Sequence, residues 1–135
     1  MLYSDEDFIS FEVAKLAAEK GFSMGSERYY DNNGDCVTLE LNEIKENKIA
    51  LYINGWGENL YEACTQSSLE KWLNSKGIYI ERLYTNKGSS LIINYRIVKR
   101  MNCLFGKYFY SELSHEYINL TDMLDDALYE CLELV

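Results

Sequence analysis

Two runs in which apolar and polar residues alternate, 78–84 and 91–99, stand on either side of the polar stretch Asn86-Lys87-Gly88-Ser89-Ser90. A β-strand sends successive side chains to opposite faces, so this alternation suits two strands that share one buried face, with glycine in the turn between them. The pair predicts an antiparallel hairpin, the firmest β element of the chain. Along 91–100 the pattern places Leu91, Ile93, Tyr95 and Ile97 on one side and Asn94, Arg96 and Arg100 on the other.

A second hairpin is expected upstream, where Arg28-Tyr29-Tyr30 and Cys36-Val37-Thr38-Leu39-Glu40-Leu41 flank Asn33-Gly34, the pair that best tolerates the positive φ of a tight turn. Residues 48–53 read as a further strand, ended by Asn54-Gly55-Trp56-Gly57, and the aromatic stretch 103–110 reads as an edge strand. Helical spacing appears three times. Ile9, Val13, Leu16 and Ala17, with Phe8 and Phe11 alongside and Gly21 as a left-handed cap, predict a helix over 7–20. Leu69, Trp72 and Leu73 follow Thr65 and Ser67, where Ser67 and Glu70 match a capping box, and Gly77 ends that helix. The last helix, from about Thr121, carries Leu120, Leu124, Ala127, Leu128, Cys131 and Leu132 on one stripe and Asp122, Asp126, Glu130 and Glu133 on another. The fold class expected is α+β, with three helices packed on a mainly antiparallel sheet of about five or six strands. Leu69, Trp72, Leu73, Leu124, Leu128 and Leu132 are expected to share one core against the 78–99 hairpin.

At 135 residues, with 47% hydrophobic residues, no proline and no linker-like stretch, the chain is expected to form a single domain over 1–135. Its longest apolar runs fall far short of a membrane span, and Met1-Leu2-Tyr3-Ser4-Asp5-Glu6-Asp7 is acidic where a secretory signal would be basic and then apolar. A cytoplasmic setting is therefore expected. Cys36, Cys64, Cys103 and Cys131 are widely spaced and have no C-x-x-C pair or neighbouring histidine, so they predict buried thiols, with no metal and no cofactor. Asp31-Asn32-Asn33-Gly34-Asp35 has the oxygen-rich start of a calcium loop, but its glycine is misplaced and the twelfth position is Asn42. Gly55-Trp56-Gly57 lacks the third glycine and the helix of a nucleotide loop. His115, the only histidine, has no nucleophile tied to it by spacing, and the paired carboxylates read as solvated surface. No enzyme is indicated.

Three local features occur together: Thr65-Gln66 leading into Leu69 and Trp72-Leu73, the strand Gly77-Ile78-Tyr79-Ile80-Glu81, and a C-terminal helix bearing Ala127-Leu128 and Leu132. With Phe11, Ala14-Lys15, Ala17 and Lys20-Gly21-Phe22 in an F-x-x-A-K-x-A-x-x-K-G-F arrangement, the chain resembles small proteins from phages and prophages of Bacteroides-type gut bacteria. The resemblance implies a phage or prophage product acting in a bacterial cytoplasm; it implies no catalytic residue.

The net charge of -9 is segregated, and that segregation frames two functions. Residues 1–70 carry 5 Lys+Arg against 14 Asp+Glu, residues 71–107 carry 8 against 1, and residues 108–135 carry 0 against 7. The leading expectation is an accessory protein that binds, and thereby inhibits, a host protein through the acidic surface of Asp122, Asp126, Glu130 and Glu133, with Trp56 as an aromatic contact. The alternative is nucleic-acid binding through the basic hairpin 78–100, where Arg82, Lys87, Arg96, Lys99 and Arg100 accompany Tyr79, Tyr84 and Tyr95. Against the alternative stands pairing of this hairpin with the protein's own carboxylates.

Overall fold

The computed structural model describes residues 7–25, 28–38, 60–101 and 106–135. These divide into two compact units, one formed by residues 8–65 and the other by Asp7 with residues 66–135. The α+β class holds, but the strands form two three-stranded antiparallel sheets instead of one larger sheet. Each sheet finds its third strand within its own unit.

In the first unit, the Ser10 side chain accepts from Val13 N at 3.3 Å and sets the start of α1 (Phe11–Glu19). The helix does not begin at residue 7 because Phe8 bridges Thr65 and Ile9 N donates to Cys64 O at 3.0 Å. Val13, Ala14 and Ala17 are buried, and Gly21, at φ 90, takes the expected left-handed turn after the helix. β1 (Arg28–Tyr30) pairs with β2 (Cys36–Thr38) across the Asn33-Gly34 turn, in the register Tyr29↔Val37. Asp31 Oδ1 accepts from Asn33 N and Asp35 N at 2.9 and 3.0 Å, so the turn itself uses the first carboxylate of the calcium-like stretch. β3 (Tyr61–Glu62) closes the other side of β1, and Phe11 meets Tyr30 and Tyr61 edge-on, each at 5.9 Å. The expected strand over 48–53 and the turn holding Trp56 lie outside the described residues.

The second unit holds α2 (Gln66–Ser75), β4 (Ile78–Lys87), β5 (Ser90–Arg100), β6 (Tyr108–Tyr110) and α3 (Leu120–Glu133). The predicted hairpin forms in full, with the register Ile80↔Ile97 and Arg82↔Tyr95. Gly88 has φ 63 at the first position of its two-residue turn. β6, expected within 103–110, pairs with β5 through Lys99↔Phe109. Both helices pack on one face of this sheet, and Leu69, Leu73, Ile78, Ile97, Met123, Leu128 and Leu132 are fully buried there.

Several expectations about this unit need correction. α2 begins at Gln66, which puts Thr65, one of the two expected caps, just before its first residue and Ser67 inside the helix, while Glu70 pairs with Arg82. Trp72 is only half-buried, with the Lys76 ammonium 5.2 Å from its ring, because its flank of α2 turns away from the sheet. Leu124 is half-buried and Leu120 is 43% exposed, while Met123, absent from the expected stripe, is fully buried. Asn119 caps α3 by accepting from Asp122 N, which puts Met123, Ala127 and the 131–132 pair on the inner line and Leu120 at its rim.

The thiols differ in the same way. Cys64 and Cys131 are buried and burial pushes the Cys131 thiol well above its ordinary range, whereas Cys36 is exposed, contrary to expectation. Under mild alkylation followed by peptide mass mapping, Cys36 is expected to react in the folded protein and Cys131 only after denaturant is added. Equal labelling of the two would contradict the burial of α3.

Candidate interaction surface

Within the second unit, strand alternation separates two chemically distinct faces. The side facing α2 and α3 carries Ile78, Ile80 and Arg82 from β4 and Ile93, Tyr95, Ile97 and Lys99 from β5. The opposite side carries Tyr79, Glu81, Leu83, Thr85 and Lys87, then Arg96, Val98 and Arg100, then Tyr108 and Tyr110. There the register aligns Tyr79, Val98 and Tyr110 across the three strands, with Gly77, Arg100 and Tyr108 in the adjoining row. Tyr79, Leu83, Tyr108 and Tyr110 are 40 to 52% exposed. The Arg96 guanidinium lies 4.8 Å from the Tyr110 ring centre, and Tyr108 and Tyr110 are 6.4 Å apart.

The chain after β6 fixes this face by an unusual edge. Tyr95 N and Ile97 N donate to the hydroxyl oxygens of Ser114 and Ser111 at 2.8 and 2.7 Å, while Ser114 N and Ser111 N donate back to Tyr95 O and Ile97 O. Tyr117 and Ile93 then exchange backbone bonds at 2.8 Å. Ser111, Ser114 and Tyr117 recur every third residue, whereas their partners on β5 recur every second. A serine side chain thus does the work of a backbone carbonyl, and Ile93, Tyr95 and Ile97 of β5 each find a partner in this segment. The same segment covers Asn94, whose amide donates to Ser114 O, which explains why a residue read as outward-facing is buried.

The carboxylates singled out on α3 divide in two. Asp122, Asp126 and Glu133 are exposed and Glu130 is half-buried; Asp126 accepts from the Tyr117 hydroxyl at 2.7 Å and Glu130 from the Tyr95 hydroxyl at 2.6 Å. Burial, reinforced by these carboxylates, pushes both tyrosine hydroxyls far above their ordinary range, so the pairs are neutral donors to charged acceptors. The basic residues are similarly engaged. Arg82 pairs with Glu70 at 2.7 Å, Lys87 with Glu116 and Arg96 with Glu81. Lys99 donates to Leu134 O at 2.8 Å, supplying the positive charge that the last turn of α3 lacks. Arg100 is exposed and runs beside Gly77, whose absent Cβ would stand 3.3 Å from Arg100 Cβ.

His115 lies exposed in the 111–117 segment, its ring 4.3 Å from that of Tyr117, and Trp56 lies outside the described residues. The structure therefore brings Arg96 and Arg100 to one surface with tyrosines, and leaves Asp122, Asp126 and Glu133 as the exposed members of the acidic group, Asp126 being held by Tyr117. Sequence reasoning passed over Tyr108 and Tyr110; their alternation around Phe109 was the available signal. Comparison with known families, with characterised proteins and with solved structures gives no match to this chain. Among the described residues no cluster of histidine, cysteine and carboxylate side chains is arranged to hold a metal ion, and no helix is long and apolar enough to cross a membrane.

Proposed function

We propose that this chain is an interaction protein, a phage or prophage accessory product acting in the bacterial cytoplasm, that docks a partner protein on the tyrosine-bearing face of β4, β5 and β6. The observation that supports it is the row Tyr79-Val98-Tyr110, flanked by Tyr108, Arg96 and Arg100, on the side of the sheet away from its helices. Tyrosine and arginine dominate the energetic centres of protein interfaces, because each offers a large contact area and a polar end at little cost in ordering. Asp122 and Glu133 add a smaller acidic area for steering. Inhibition of the bound host protein is the consequence this reading carries.

Nucleic-acid binding draws less support, since Arg82, Lys87, Arg96 and Lys99 each already have a partner within the chain.

The test compares tagged wild type with Tyr79→Ala/Tyr110→Ala in capture from a Bacteroides lysate, with thermal melting as a check on folding. A protein enriched by the wild type and lost at least about tenfold with the double variant is the expected result, corresponding to roughly 1.4 kcal/mol or more. Capture unchanged by the double variant would move the site elsewhere, and a salt-sensitive gel shift with DNA or RNA would favour the nucleic-acid reading instead.

A further inference from the structure

We infer that two copies of this chain pair edge to edge along the outer half of β4, in an antiparallel register centred on Tyr84. This inference does not rest on the docking face proposed above.

Arg100 N donates to Gly77 O, and from that bond the ladder alternates: Tyr79, Glu81, Leu83, Thr85 and Lys87 turn their backbone groups toward β5. Ile78, Ile80, Arg82, Tyr84 and Asn86 turn theirs outward. The inner part of this edge is closed. In the orientation that satisfies both ends of its amide, Asn74 donates to Ile78 O at 2.9 Å, and the Arg82 guanidinium reaches Ile80 O at 3.5 Å. From Arg82 onward, among the described residues, no partner meets the outward N–H and C=O groups of Arg82, Tyr84 and Asn86. The hairpin tip also projects beyond the helices, leaving Leu83, Tyr84 and Leu91 about half exposed. An edge with unmet backbone groups and exposed apolar side chains at its centre is a template for another strand.

The side chains favour a second copy as that strand. With Tyr84 opposite its counterpart, Arg82 faces Asn86, Leu83 faces Thr85 and Glu81 faces Lys87 of the other copy. All outward backbone groups from 82 to 86 then find partners, six hydrogen bonds in total by the alternation of the ladder. Glu81 and Lys87 lie on the same face of the joined sheet, directly opposite one another, and two-fold symmetry makes the pair twice. The Lys87 ammonium has three protons, so it can hold Glu116 and the incoming Glu81 together. Shifting the register by two residues in either direction removes this opposition of charges.

The experiment is size-exclusion chromatography with light scattering on the full chain, from low micromolar to hundreds of micromolar. The wild type is expected to approach twice its 15.8 kDa mass. Glu81→Lys and Lys87→Glu each place like charges opposite one another twice, and each is expected to weaken the dimer about tenfold. The combined swap is expected to restore it, although Glu81→Lys still faces Arg96 within the chain, so the rescue reports contact between copies. Tyr84→Pro, which removes an outward N–H that β5 does not use, is expected to abolish the dimer while circular dichroism shows the fold retained. A monomer at every concentration, a dimer indifferent to the single swaps, a combined swap that fails to rescue, or assembly beyond two copies would each overturn the inference.

Discussion

Leu128→Ala is expected to destabilise the second unit by about 2–5 kcal/mol, the range for truncating a fully buried leucine whose surroundings cannot collapse. Leu128 has no exposed surface, and α3 holds it between α2 and the β4–β5 hairpin. Leu120→Ala, on the same helix but 43% exposed, is expected to change stability by less than about 0.5 kcal/mol. Urea unfolding followed by Trp72 fluorescence in a Trp56→Phe background measures both in the unit concerned. A Leu128→Ala loss as small as that of Leu120→Ala would mean that α3 does not sit on the sheet as described.

Alkaline pH is expected to destabilise each unit through tyrosines whose hydroxyls are held protonated, Tyr29 in the first and Tyr95 with Tyr117 in the second. Burial, with Glu62 adding to it, pushes Tyr29 from 10.0 to about 12, and burial with the Glu130 bond pushes Tyr95 higher still. A hydroxyl whose folded pKa is raised contributes stability that is complete below the unfolded value and is lost as pH rises toward the folded one. Stability should therefore be flat up to about pH 9 and then fall by roughly 1.4 kcal/mol per pH unit for each tyrosine, or about 2–3 kcal/mol by pH 12 for Tyr29 in the first unit. Tyrosinate absorbance and circular dichroism should change together. Tyr95→Phe, which cannot ionise, should reduce the slope in the second unit alone and leave the share of Tyr117. Gradual tyrosinate formation from pH 10 with no loss of structure would show these hydroxyls to be accessible.

The parts of the fold that the sequence made legible are those governed by local chemistry. Alternation over 78–99, the Asn33-Gly34 turn and the glycines after α1 and α2 each specify a conformation within a few residues, and the structure has all of them. What escaped depends on which elements meet. Nothing local in residues 60–62 says that they will close β1, so the division into two sheets was not visible. Nor does spacing reveal that Ser111 and Ser114 replace carbonyls along β5, the contact that leaves β4 and β6 as the outer strands. The candidate site was legible in type more than in place. The expected opposition of charges largely resolves into internal pairs, such as Arg82 with Glu70, and the tyrosine cluster draws half its members from the edge strand 108–110, to which the sequence assigned no functional residue.

The three-for-two stitching of residues 111–117 onto β5 also bears on the valence of the second unit's sheet toward further strands. A unit with two open strand edges has a functionality of two and adds copies without end, as a filament does. In the second unit, among the described residues, the side of β5 beyond the three-residue β6 is largely taken by serine hydroxyls, and the longest edge open to a strand is that of β4. A sheet with a functionality of one terminates whatever it joins, and on the proposed pairing the same seam that shapes the tyrosine face would make the second unit a chain stopper.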